Sequence, residues 1–422
     1  MADQPSSSVE DLNYLQRFLT SFEIPAYRWI WLNSVFGSMR LINTFVVRGW
    51  LVLTLTNSPF WVGAAPAMRG ITQILLGVFA GVLLDRIDRK AAFMIAEVGT
   101  TIVSGLMAVL VFTDQIALWH IFVASFFEGA FMAIRWPVIN TMVLQTVGPE
   151  RVLNASASQM LGFNLGNVIA SFLAGIIVDR FGIGSGYLFG TGMGVVASIC
   201  ILFISGNFKP VAQEETISIK ASISEGITYI KTHTTLMYLI ALALLMSFLG
   251  WSNFSMLPVV ARDVLLVEAS GLGFLTSAGA VGSLISTAVI AGLGNFKDKT
   301  RLIIWAGVGT TIGILAFSLS SNFFLSLVLI FFMQGALMAF EVTITATVLL
   351  VTDDKMQGRV QGIYTQVFGF TWVGGIVLGA IAEFTGAPIA IAIGGIGIGL
   401  TIFLLKGRIG DQTSEPESIE VS

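Results

Sequence analysis

The chain has 422 residues, of which 55% are hydrophobic and only 11% charged, with 22 basic residues against 25 acidic ones. Soluble domains carry about 25% charged residues, so a mean hydropathy of +0.86 excludes both a water-soluble globular protein and a disordered one. A net charge of −3 leaves no basic field for a nucleic acid, and one cysteine with two histidines cannot build a disulfide framework or a zinc cluster. What remains is a polytopic membrane protein.

Crossing the hydrocarbon core takes about 20 mostly apolar residues. The first 28 residues are polar and lack the apolar core and cleavage site of a signal peptide. Six spans are then predicted over 29–205, at 29–56, 61–84, 91–113, 116–146, 156–180 and 185–205. A polar linker covers 206–235; in it Ile219, Ile223, Ile227 and Ile230 fall on one face of a helix expected to lie along the membrane surface. Six more spans are predicted over 236–406, at 236–262, 269–294, 301–319, 322–352, 359–383 and 387–406, before a polar tail over 407–422. Continuous apolarity rich in glycine reads as helix, because barrel strands would alternate every second residue. The fold expected is an all-α membrane protein of twelve transmembrane helices in two six-helix bundles.

The halves are related in sequence. EGAFMAIR from Glu128 aligns with QGALMAFE from Gln334, and Gly175, Asp179 and Gly182 answer Gly379, Glu383 and Gly386. Each span is therefore the counterpart of the sixth after it, an internal duplication that places a pathway between the halves near the midplane. Sixteen of the 22 Lys and Arg fall on the side of the two termini, two (Arg180 and Arg262) on the other, and four inside spans. That asymmetry predicts cytoplasmic termini.

Charges inside spans carry the functional reading. One at the bilayer centre costs about 2.5–3.5 kcal/mol, so it should face protein or water. In span one Asn33, Gly37, Arg40, Thr44 and Arg48 recur every three or four residues as one stripe. Ser125, Glu128, Met132 and Arg135 do the same in span four, and Gln334, Met338, Glu341 and Thr345 in span ten. Span seven offers Ser247, Trp251 and Ser255, with Asn253 at the repeat position of Arg40. Arg69, between Pro66 and Gly70, is expected to satisfy backbone carbonyls freed by a helix break. Glu97 is expected to partner Arg86 or Arg89.

The loop after span two reads Gly81-Val-Leu-Leu-Asp85-Arg86-Ile-Asp88-Arg89-Lys90. It resembles the cytoplasmic loop motif of the major facilitator superfamily, with Asp88 where that motif has Gly. WLVLTLTNSPFWVG from Trp50, the Gly129 to Pro137 block, SEGITYIK from Ser224 and Gly358-Arg359-Val360 are similar to a bacterial efflux branch that includes enterobactin-type siderophore and macrolide exporters. The resemblance spans essentially the whole chain. It implies a secondary transporter, not an enzyme, with export as the direction and spans one, four, seven and ten lining the cavity. Gly81, Asp85, Arg86, Arg89 and Lys90 would then form a conformational lock of charged hydrogen bonds. The span-five glycine-proline pattern of many drug/proton antiporters is reduced here to Gly162, Gly166 and Asn167.

The repeat sets Arg135 and Glu341 at equivalent depth, which predicts an ion pair across the cavity, with Glu341 or Glu128 as the proton-titrating carboxylate. Asn33, Arg40, Arg48, Glu128, Arg135, Trp251, Asn253, Gln334 and Glu341 are the expected cavity residues. Three arginines against two glutamates favour a substrate with an anionic or polar group on apolar bulk, such as a drug or siderophore-like amphiphile. Expected partners are that small molecule and the bilayer of a bacterial inner membrane. No cofactor beyond a proton gradient, no nucleic acid and a monomer are expected. Competing readings are an uncoupled facilitator or organic-anion importer, a lipid-modifying enzyme, and a non-transporting sensor on the same fold.

Overall fold

Long uninterrupted apolar runs fold as helices because only internal backbone hydrogen bonding satisfies the chain in lipid. A computed structural model of the protein describes residues 20–84, 87–209, 219–292, 298–353 and 356–410. Among the described residues, eleven helices are long and apolar enough to cross a membrane; Pro59–Leu84, a helix of 26 residues, stands where the second of the twelve expected spans falls. Spans one to six are Pro25–Thr56, Pro59–Leu84, Arg89–Phe112, Leu118–Val147, Val152–Phe181 and Ile183–Leu202. Spans eight, nine, ten and twelve are Ala269–Gly292, Lys299–Ser318, Phe323–Leu350 and Ala387–Gly410.

Two spans are broken where the sequence suggested none. Span seven runs as Thr234–Leu249, loosens into a 3₁₀ turn at Trp251–Met256, and ends in a π turn at Val260–Val264. Ser252 and Asn253 turn their side chains back on the carbonyls of Phe248 and Leu249 at 2.5 and 2.7 Å, and Pro258 has no N–H to give, so the regular ladder gives way. Span eleven divides into Gln357–Val367 and Phe370–Thr385. The linker helix forms at Ile219–Thr232 and is docked on the second half. Glu225 pairs with Arg359 at 2.7 Å, and the Asp353 N–H donates to the Tyr229 hydroxyl. Ile230 is buried and Ile227 exposed; the side chains of Ile219 and Ile223 lie outside the described ones.

Span one packs on spans five and six, and span four on spans two and three; in the second half span ten packs on eight and nine, and span twelve on nine. The seam between the halves is made by span two against span eleven and span five against span eight. It is sealed at the ends away from the termini. There Glu383 accepts from Ser58 at 2.6 Å and from the Phe60 N–H. Arg262 donates to the Leu53 carbonyl and to Asn57, and Asp179 accepts from the Ser270 N–H at 2.8 Å. The backbones touch in this seal: a Cβ on Gly63 would lie 2.0 Å from the Gly375 carbonyl oxygen. Gly63→Leu is therefore expected to hold these ends apart. A Ser58→Cys reporter should then be labelled several-fold faster by a membrane-impermeant maleimide, and an unchanged rate would show that the seal tolerates the bulk.

Candidate functional site

The polar stripe of span one points into the first half, where two arginines converge on one carboxylate. Glu97, fully buried on span three, accepts from Arg40 Nη2 at 3.2 Å and from Arg135 Nε at 2.9 Å. Arg135 reaches it from span four by passing over Gly37, where a Cβ would sit 2.4 Å from Nη2. Asn33 lies at the edge of this cluster, donating to the Ala197 carbonyl at 2.9 Å and accepting from Arg135 at 3.5 Å. The expected Arg135–Glu341 pair is thus replaced by Arg135–Glu97. Glu97 likewise does not pair with Arg89, because span three turns it into the bundle while Arg89 sits at the helix start; Arg86 lies outside the described residues.

A second pair stands further along span one. Arg48 binds the Glu128 carboxylate of span four and donates to the Ser125 hydroxyl at 3.1 Å. Near it Arg69, 8% exposed, stacks over the Trp372 ring of span eleven at 5.2 Å. Among the described residues it makes no hydrogen bond or ion pair, so it does not satisfy backbone carbonyls as the sequence suggested. Desolvated cation–π contact recovers about 2 kcal/mol, which offsets only part of the cost of an arginine held inside a membrane. A small cavity opens beside it, lined from both halves by spans one, two, seven and eleven.

Among the described residues, the second half holds one buried carboxylate, Glu341, and no cation paired with it. Glu341 Oε1 accepts from the Tyr364 hydroxyl at 2.8 Å, and Tyr364 also bonds Thr345. Glu341 Oε2 has no partner. The Trp251 indole lies within interaction range of this carboxylate, although its Nε1 makes no hydrogen bond. Asn253 is used by its own helix and faces Gly394 of span twelve, and Gln334 packs on Gly279 of span eight; both are turned within their own half rather than toward the seam. Among the described residues no group of acids, His or Cys is arranged to hold a metal ion.

The loop motif acts inside the first half as far as it is described. Asp88 caps span three, accepting from the Ala91 N–H at 3.0 Å, a role that glycine at this motif position could not fill with a side chain. Lys90 donates to the Leu202 and Ile204 carbonyls at 3.2 and 2.6 Å, tying span three to the end of span six. Gly81 lies in span two; Asp85 and Arg86 fall outside the described residues.

Sequence reasoning missed Glu97, Arg69, Tyr364 and Trp372 as parts of these clusters. Span three carried a signal: Glu97, Thr100 or Thr101, and Ser104 recur at helical spacing and are all buried. The aromatic partners carried none, since Tyr and Trp are common in spans for other reasons.

A family of transmembrane secretion effectors matches the chain over residues 17–415. The multi-drug resistance efflux pump PmrA of Streptococcus pneumoniae serotype 4 is 28% identical over 252 residues, a stretch that spans 58% of this chain and 60% of that pump. The enterobactin exporter EntS of Shigella flexneri is 23% identical over 94% of this chain and 96% of its own. Among solved structures, the nucleoside transporter NupG superposes with a TM-score of 0.71 at 13% identity, covering 90% of this chain and 98% of its own. A bacterial homologue of the human lysosomal transporter Spinster, inward-facing and occupied, reaches 0.72 at 13% identity, covering 94% and 99%. Such likeness establishes the fold, and its relatives are membrane transporters rather than enzymes. With an all-helical membrane architecture among the described residues and a match over nearly its whole length, the chain belongs to the transmembrane secretion effector family of the major facilitator superfamily.

Proposed function

We propose that the protein is a proton-coupled exporter of amphiphilic small molecules, working by alternating access from a bacterial inner membrane with both termini in the cytoplasm. The observation that carries the coupling is the unequal treatment of three buried carboxylates. Glu97 and Glu128 are neutralised by arginines. Glu341 is equally buried, yet it is held by a phenol and an unfilled oxygen. A carboxylate without a cation in a low-dielectric site is the group whose proton occupancy responds when the site opens to water or to substrate. Glu128 is less suited to the role because a proton there would free the Arg48 charge. Export is supported by the efflux relatives, and the seal at the ends away from the termini fits loading from the cytoplasmic side.

Proteoliposomes loaded with a panel of amphiphilic dyes test the reading. Dye movement against its own gradient is expected only when a pH gradient is imposed, and it should stop when an ionophore collapses that gradient. Movement that follows the dye gradient alone, indifferent to pH, would replace this reading with an uncoupled facilitator.

A further inference from the structure

We propose that Tyr364 is the positioning residue through which the proton state of Glu341 sets the place of the near-end segment of span eleven, Gln357–Val367. The proposal rests on the coupling role given to Glu341 and names the element that answers to it. The Tyr364 side chain is buried. Its hydroxyl lies 2.8 Å from Glu341 Oε1 and 3.0 Å from the Thr345 hydroxyl, and Thr345 itself donates to the Glu341 carbonyl at 2.7 Å. Trp251 of span seven also lies within range of the carboxylate. Span eight carries no charged side chain. On the other spans packed against span ten the charges stand at helix ends, Lys299 and Arg301 on span nine, Arg262 and Asp263 on span seven. Arg359, on the same segment as Tyr364, is engaged by Glu225.

A phenol has one hydrogen to give, and an ionised carboxylate can only accept. With Glu341 ionised, Tyr364 donates to Oε1 in a charge-assisted bond, roughly twice as strong as a neutral one. A proton on Oε1 turns that oxygen into a donor, so Tyr364 must swing its hydrogen to Thr345, whose own is given to the Glu341 carbonyl. A proton on the unpartnered Oε2 leaves Tyr364 donating to a neutral acid. Either way the pull of span ten on Tyr364 slackens when Glu341 takes a proton.

The two segments of span eleven have different neighbours. The far-end one, Phe370–Thr385, is wedged into the seal: it packs along span two, and a Cβ on Gly374 would strike the Phe248 carbonyl. The near-end one packs instead on the linker helix and span seven. Between them the N–H groups of Gly369, Thr371 and Trp372 bond three residues back, at 2.9, 3.2 and 3.3 Å, a tight turn in place of the α ladder. The near-end segment tilts about this turn while the seal stays shut, and the linker helix, tied by Glu225 and Arg359, moves with it. A proton on Glu341 thus changes the energy of one placement of the segment and not of the other, which is the difference that a two-state equilibrium needs.

Thr365, exposed on the near-end segment, takes the reporter: Thr365→Cys in a Cys200→Ser background, labelled with bimane in the purified full-length protein in nanodiscs. Stepping from neutral to acid pH is expected to shift the bimane emission, and Glu341→Gln should abolish the shift. Tyr364→Phe should abolish it too, and should cut gradient-driven dye transport about tenfold or more, the change expected for losing one hydrogen bond to a charged group. A purely structural role for Tyr364 would lower stability and leave the pH-dependent shift in place, so a shift retained in folded Tyr364→Phe overturns the proposal, as does a reporter indifferent to pH in the parent. Should Tyr364→Phe fail to fold, Thr345→Val decides: it removes the alternative acceptor, so emission should match the parent at neutral pH and depart from it at acid pH, and parental emission at both would overturn the proposal. Gradient-driven transport surviving in Glu341→Gln removes the coupling reading itself. Transport and shift both lost in Glu341→Gln, with the shift intact in Tyr364→Phe, remove only the role of Tyr364.

Discussion

Glu341→Gln is expected to abolish pH-gradient-driven dye transport while leaving the protein as stable as wild type. The amide has the shape of the carboxylate and can still accept from the Tyr364 hydroxyl, which donates to Oε1 in the wild type. No arginine is left stranded, because among the described residues Glu341 makes no ion pair. The substitution therefore removes a proton-binding group and little else, and uncharged Gln avoids any cost of holding a bare carboxylate in the bundle. The measurement is counterflow with and without an imposed gradient, alongside thermal unfolding in detergent. Gradient-driven transport persisting in the Gln variant would remove Glu341 from the coupling mechanism and send attention to Glu128.

Glu97→Gln should behave in the opposite way, although it is the same chemical change at an equally buried glutamate. Two guanidiniums, those of Arg40 and Arg135, close on Glu97, so neutralising it leaves two like charges facing each other out of water. Removing one partner of a buried ion pair costs about 3–5 kcal/mol. In soluble domains of moderate size such a loss lowers the unfolding midpoint by on the order of 10 °C, and a comparable fall is expected here. A second substitution, Arg135→Met, should recover part of it by removing one stranded charge, which a double-mutant cycle would register as coupling. Equal stability of wild type and Glu97→Gln would mean that water reaches the cluster and that Glu97 is not its electrostatic keystone.

The contrast between these two residues marks how far the sequence could be read. Both are lone acids in apolar spans, and spacing ranked Glu341 as a cavity candidate because it shares a stripe with Gln334 and Thr345. The same logic set Glu97 near the loop arginines, since distance along the chain was the only distance available. Arg40 and Arg135 are 57 and 38 residues from Glu97 in sequence, and only the packing of spans one, three and four brings them together. Asn253 was matched to Arg40 by the repeat, yet the local unwinding of span seven turns its amide onto its own backbone. A repeat preserves topology more faithfully than side-chain direction, because one 3₁₀ turn rotates everything beyond it.

Hydrophobic length, the all-helical membrane fold, the duplication and the bias of Lys and Arg toward one side follow from the chain alone. They depend on transfer energies summed over some 20 residues, and no single neighbour can reverse them. Which arginine answers which glutamate, which one is left facing Trp372, and which ends of the bundles are shut were settled only by the folded arrangement. Those outcomes depend on separations of a few ångströms between helices far apart in sequence, over which the interaction of two charges in a low-dielectric interior changes steeply.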